Sequence, residues 1–189
     1  MPLGGNATGA SRVVGSRSSP WRYAVKRQRN LWLLRHAEAA QLGARDLDRP
    51  LTERGQRQAA QLGETLAASN VLVDLVLCSP ARRTRETLAG LTLAPEPEVR
   101  IVDGIYEAGV DTLHELVREI DETATTVLMV GHAPGIPGLL HALADADSTT
   151  RLAPVAHHYP PATAVRLVSP LRWQQWDQAY LSQMQLPQA

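Results

Sequence analysis

The chain has 189 residues, 44% hydrophobic and 20% charged, with 19 Lys and Arg against 19 Asp and Glu. That size and balance fit one globular domain with a sizeable core, and a net charge of zero excludes an overall field that would hold nucleic acid or an anionic membrane surface. A single cysteine, Cys78, excludes an intrachain disulfide and a cysteine-based zinc site and fits a reducing, cytoplasmic setting; no apolar run approaches the roughly 20 residues of a membrane span.

Residues 1–29 are rich in Gly, Ser and Arg, hold no Asp or Glu and lack the apolar centre of a secretory signal. They read as a flexible basic arm, a solvated extension, ahead of one domain over 30–189. From Asn30 the pattern alternates. "NLWLL" is a short apolar run of strand type that stops abruptly on Arg35 and His36. Residues 52–69 carry Ala59, Leu62, Gly63, Leu66 and Ala67 at helical spacing. Residues 73–78 predict a buried strand, after which Ser79 and Pro80 read as the N-cap and first residue of a helix reaching Leu91. A proline-marked connection over 94–104 contains a short strand, and Thr112 with Glu115 offers a capping box to a helix over 112–123. Residues 126–130 predict a strand, 131–138 a Gly/Pro turn and 139–144 a helix. After a polar loop, 163–168 predicts the last strand, while 169–180 follows neither period clearly. Strands alternating with helices predict parallel neighbours and right-handed crossovers: an α/β three-layer sandwich, its mostly parallel sheet covered by helices on both faces.

Three of these strands end in the same way. Arg35 and His36 follow "LWLL", Ser79 to Arg83 follow "LVLC", and His132 follows "VLMVG". In an open parallel sheet ligands bind beyond the carboxyl ends of the strands, so two arginines and two histidines converge on one pocket. Cations packed together repel unless a counter-charge lies between them. Phosphate suits that role, because the planar fork of arginine matches its oxygens. A neutral imidazole is a competent nucleophile toward phosphorus, and surrounding cations stabilise the transferring group without a metal or cofactor.

"LLRHAEA", "RPLTERGQRQA", "SPARRTRET", "IYEAG" and "VGHAPGI" resemble, in order and spacing, the motifs of the histidine phosphatase superfamily, whose fold is phosphoglycerate mutase-like, and specifically its SixA-like phosphohistidine phosphatase branch. The resemblance runs over residues 31–168. It implies that His36 is the phosphorylated nucleophile, that Arg35 and Arg83 bind phosphate, and that His132 completes the pocket and stabilises the transferring group. Arg83 is the matching arginine of "SPARRTRET", which leaves Arg82 and Arg85 as solvated or rim residues. Glu107 falls where many members carry the acid that protonates the leaving group. The implied activity is a metal-independent phosphatase acting on a phosphorylated protein, through phosphohistidine. The alternatives are a small phosphorylated metabolite as substrate, which Glu107 favours, and a phosphate- or phosphoprotein-binding module without turnover. No nucleic-acid or membrane partner is expected.

The chain departs from the family pattern at Ala37, where Gly is usual, and at Glu86, where Gln is usual. The remaining singular residues have structural readings: Ser79 as a cap, Cys78 as a small buried hydrophobe, His114 and His141 as helix-surface residues, His157 and His158 as loop residues, and Trp173 and Trp176 as packing. The six histidines show no spacing of metal ligands.

Overall fold

A computed structural model describes residues 28–41 and 45–187. The expected arm lies outside them except for Gln28 and Arg29, and Arg29 already opens the first strand, β1, Arg29–Arg35. A 3-10 turn at Asp46–Asp48 leads to α1, Glu53–Ala68, which Thr52 caps by accepting the Gly55 N–H. Then come β2, Leu75–Cys78, and α2, Arg82–Leu91, followed by β3, Glu98–Ile101, and α3, Val110–Arg118. β4 is Thr126–Gly131 and α4 is Gly135–Leu143. A 3-10 stretch, Ala146–Val155, precedes β5, Ala164–Ser169, and β6, Tyr180–Gln185.

The strand order is β3-β2-β4-β1-β5-β6. The first four are parallel, joined by helices, and the last two run antiparallel to their neighbours. The sheet is therefore mostly parallel, as expected, but β5 is not the parallel strand that simple alternation implies. After it, the connection from β5 to β6 holds no long helix, and so short a link can only return β6 antiparallel to β5. β6 meets the unassigned stretch only at Tyr180 and continues beyond it; in it Leu181 alone is buried, so no apolar alternation marks this edge strand.

Side chains alternate across the sheet with the period of two that strands impose. Leu31, Leu33, Leu75, Leu77, Val127 and Met129 face one layer, packed with Leu113 and Val117 of α3, Leu139, Leu140 and Leu143 of α4, and Trp173 and Trp176. Trp32, Leu34, Val76, Cys78, Leu128 and Val130 face the other, against Leu62 and Leu66 of α1 and Leu91 of α2. Cys78 and both C-terminal tryptophans are core residues, as their sequence contexts imply. α1 and α2 approach so closely that a Cβ on Gly63 would lie 2.2 Å from the Leu91 carbonyl oxygen.

Three local expectations are corrected. α2 begins at Arg82 with Ala81 at the N-cap and no side-chain cap; Ser79 is turned to another partner, described below. α3 begins at Val110 after Gly109, again without a side-chain cap, so Thr112 and Glu115 lie inside the helix rather than forming a box. Much of the expected 131–138 turn is the first part of α4. Pro137 is tolerated there because the N–H groups of a first turn have no intrahelical acceptor to lose.

Candidate active site

The ladders fix where the polar groups emerge. Arg35 is level with Gly131, and Cys78 with Val130. The next residues remain tied: the His36 N–H donates to the Gly131 carbonyl at 3.0 Å, and the Ser79 N–H to the Val130 carbonyl at 3.1 Å. Three strand ends thus finish at one height, with His36, Ser79 and His132 side by side. The His36 and His132 rings lie 5.2 Å apart.

His36 is oriented and neutral. Its Nδ1 lies 2.7 Å from the Ala37 carbonyl oxygen, an acceptor, so Nδ1 carries the proton and Nε2 keeps its lone pair. Burial lowers its pKa to about 4, against the Ala37 hydrogen bond and with the help of the Arg83, Arg35 and Arg49 charges. Ala37 is fully buried beside Leu51, Ala59 and Ala162, and its N–H donates to Thr87 Oγ1 at 3.0 Å. The fold accommodates its methyl group where glycine is usual. Glu86, the other departure, accepts the Leu51 N–H at 2.7 Å and the Arg82 Nε–H at 2.6 Å, tying the loop before α1 to α2.

Arg35 donates to the Tyr159 carbonyl. Arg83, only 6% exposed, donates from Nη1 to the Asp46 carbonyl at 2.6 Å and from Nη2 to the Asp46 carboxylate at 2.9 Å. His132 Nε2 lies 2.8 Å from Ser79 Oγ, the contact that draws Ser79 away from capping. Burial lowers the His132 pKa to about 3, helped by Arg83 and His36. Three nitrogens of this group are buried with no hydrogen-bond partner among the described residues: Arg35 Nε, Arg83 Nε and His132 Nδ1. Buried polar groups are normally satisfied; unmet atoms occur elsewhere too, on Arg29, Trp32, Thr163 and Trp176, but here they fall on two guanidinium groups and an imidazole, groups suited to an anion.

Two participants escaped the sequence reading. Asp46 lies in the 3-10 turn after β1, and its carboxylate also accepts from Arg49 at 2.8 Å and from the Tyr106 hydroxyl at 2.8 Å. Tyr106 stands edge-on to His132, ring centroids 5.6 Å apart. The one signal available was that cations so close need a counter-charge even when no ligand is bound, which does not say which carboxylate provides it. Glu107 follows Tyr106 at the exposed rim, with φ of 52°; its neighbour, not Glu107, faces His132. His157, His158 and His141 are exposed and outside the group, and His114 Nε2 contacts the Trp176 carbonyl at 2.6 Å. Arg82 and Arg85 are exposed. Among the described residues no cluster of three or more His, Cys, Asp or Glu is placed to hold a metal ion, and no helix is long and apolar enough to cross a membrane.

Comparison with known proteins gives a consistent setting. A sequence model of the histidine phosphatase superfamily, branch 1, matches residues 31–128. The chain is 38% identical over 117 residues to an uncharacterized protein of Mycobacterium tuberculosis, covering 61% of this chain and 73% of that protein. A structure described as a candidate phosphohistidine phosphatase SixA from Nakamurella multipartitia aligns with a TM-score of 0.76 and 37% identity, covering 86% of this chain and 98% of the other. A second such candidate, from Agrobacterium tumefaciens, gives 0.73 and 26%, covering 84% and 98%.

Proposed function

The chain belongs to the histidine phosphatase superfamily, in its SixA-like branch, and on that premise we propose that it hydrolyses phosphohistidine on a protein through a covalent phosphoenzyme at His36. The observation that carries this reading is the set of three partnerless buried nitrogens, on Arg35, Arg83 and His132, around a neutral imidazole. A tetrahedral anion supplies acceptors to the two arginines, and to His132 Nδ1 in the tautomer in which the Ser79 hydroxyl donates to Nε2.

In the first step the His36 Nε2 lone pair attacks phosphorus and the bond to the leaving group breaks in line. Arg35, Arg83 and His132 hold the oxygens over which the charge is spread. The proton on Nδ1, held by the Ala37 carbonyl, stays in place and stabilises the phosphorylated ring. In the second step water attacks the same phosphorus, and His36 leaves as neutral imidazole. These residues need no cofactor for either displacement. A phosphate ester differs in one respect: its alkoxide must gain a proton, and Glu107 at the rim is the residue proposed to provide it.

The test is single-turnover trapping. The protein is mixed with a phosphorus-labelled phosphohistidine peptide and quenched in alkali, which preserves phosphohistidine. Label that appears in the wild type and is lost in His36→Ala is the expected result. Absence of both label and hydrolysis would overturn the reading in favour of a phosphate-binding module.

A further inference from the structure

The least expected group in the pocket is a carboxylate. Asp46 lies among cations that a phosphate would also use, and it is held on three sides, by Arg83, Arg49 and the Tyr106 hydroxyl. Both terminal nitrogens of Arg83 are already committed to Asp46, one to its carboxylate and one to its carbonyl, while Arg83 Nε has no partner. Arg83 Nε is closed off in this structure, so a phosphoryl oxygen reaches it once the guanidinium turns toward the pocket, a small rotation that need not break the Asp46 contacts. One guanidinium then carries both anions, and the carboxylate remains beside the bound phosphoryl group.

Asp46 also lies on the open side. His132 is 9% exposed, whereas the Asp46 side chain is 43% exposed. In-line displacement sends the leaving group away from His36, toward that mouth. Hydrogen bonds from Arg49 and Tyr106, and then from Arg83, hold Asp46 well below the usual carboxylate range, so it has no proton to give. Near a phosphate dianion such a charge is unfavourable unless the leaving group brings a positive charge of its own.

We infer that Asp46 is a specificity residue, selecting phosphoramidates whose leaving group is protonated, such as a phosphorylated imidazolium side chain, over phosphate monoesters. This rests on the phosphatase reading given above. The electron balance favours the choice. His36 Nε2 forms a bond to phosphorus while the substrate P–N bond breaks, its electron pair returning to the departing nitrogen. The leaving ring, positively charged while phosphorylated and protonated on its second nitrogen, departs as neutral imidazole. It keeps that second N–H, which donates to the Asp46 carboxylate throughout. No protein acid takes part. Water then attacks the phosphorylated His36, the new P–O bond replaces P–N, and both water protons depart with the product as dihydrogen phosphate. An ester would instead release an alkoxide with no N–H to offer and a proton to acquire, and an ionised Asp46 serves neither need.

The experiment compares wild type, Asp46→Asn and Tyr106→Phe, each full length, with a phosphohistidine peptide and an aryl phosphate, and measures binding of inorganic phosphate. Asp46→Asn keeps an oxygen for Arg83 but removes the charge. It is expected to shift the ratio of kcat/KM for peptide over aryl phosphate by about tenfold or more against the peptide, and to bind phosphate more tightly. Tyr106→Phe shifts the substrate ratio in the same direction by less. An equal fall on both substrates with weaker phosphate binding would overturn the proposal, since Asp46 would then only hold Arg83. A larger fall on the ester would overturn it too, by making Asp46 an acid. A wild type that hydrolyses neither substrate and forms no phosphoenzyme would instead refute the phosphatase reading beneath it.

Discussion

Two nearly buried arginines occupy opposite ends of this sheet, and they differ in what surrounds them. Arg29, 9% exposed at the start of β1, pairs with Glu122 and donates to the Leu171 carbonyl at 3.2 Å. Glu122 is itself committed, accepting the Trp173 N–H at 3.0 Å, and Trp173 donates onward to the Ala124 carbonyl at 2.7 Å. Arg83, beyond the other end, is equally enclosed and also has a carboxylate partner, but it stands among further cations. Each arginine leaves its Nε without a partner, so a single unsatisfied nitrogen distinguishes neither. What marks the Arg83 end is the kind of group left unmet, a second guanidinium and an imidazole on Arg35 and His132, whereas on the Arg29 side it is the indole of Trp176, which packs on Trp173. A buried arginine secures a fold where a carboxylate and a carbonyl of the fold take its terminal nitrogens, as at Arg29, and prepares for a ligand where further cationic groups are gathered beside it.

Four substitutions and conditions test that contrast. Arg83→Ala is expected to lower kcat/KM by about 100-fold or more, the scale of losing a preorganised donor to transition-state charge. Its unfolding free energy should fall by only about 1 kcal/mol, because the Asp46 left behind is part-exposed. Arg29→Ala is the reverse case: stability in urea falls by about 1–3 kcal/mol as Glu122 and the Leu171 carbonyl lose their donor. Its activity per folded molecule should stay within about twofold, the two ends sharing no partner. Comparable losses of activity in both variants would erase the distinction.

The pH dependence should follow the same division. His36 must be neutral to attack, and its pKa is about 4 instead of the ordinary 6.5. The rate of phosphoenzyme formation should therefore hold as the pH falls through 6.5 and fail only near 4; an acid limb at 6.5 would show an imidazole lying in water. Stability runs on a related curve. Between 6.5 and about 4 the unfolded chain binds protons that the buried His36 refuses, so this contribution is fully present above 6.5 and lost as the pH drops to about 4. Circular dichroism melts across that range measure it. Glu107→Gln should have the smallest effect, slowing aryl phosphate hydrolysis by less than about tenfold and leaving phosphohistidine turnover unaltered. An equal effect on both substrates would remove it as a proton donor for esters.

The layered α/β architecture was legible because buried strands and amphipathic helices write their periods into composition. Leu31, Leu33 and Leu77 could hardly be read otherwise, and the abrupt change from apolar to cationic residues announced which strand ends carry polar groups. Less legible were the helix starts. Ser79 has the residue type and position of a cap, yet a buried histidine just past the end of β4, distant in sequence, engages its hydroxyl instead. The antiparallel return of β5 and the identity of β6 were also hidden, since pairing direction depends on the length of chain between strands and on what lies at the sheet edge, neither of which leaves a periodic trace.

The sequence by itself determined the layers, the central strands and the convergence of Arg35, His36, Arg83 and His132, because each follows from local pattern and from the ends of strands that must lie side by side. Only the tertiary structure decided the charge balance inside the pocket. Asp46 reaches Arg83 across 37 positions and Tyr106 across 60, and Ser79 meets His132 across 53. Contacts between segments so far apart are set by the packing of whole elements, and no stretch of chain short enough to carry a pattern contains both partners.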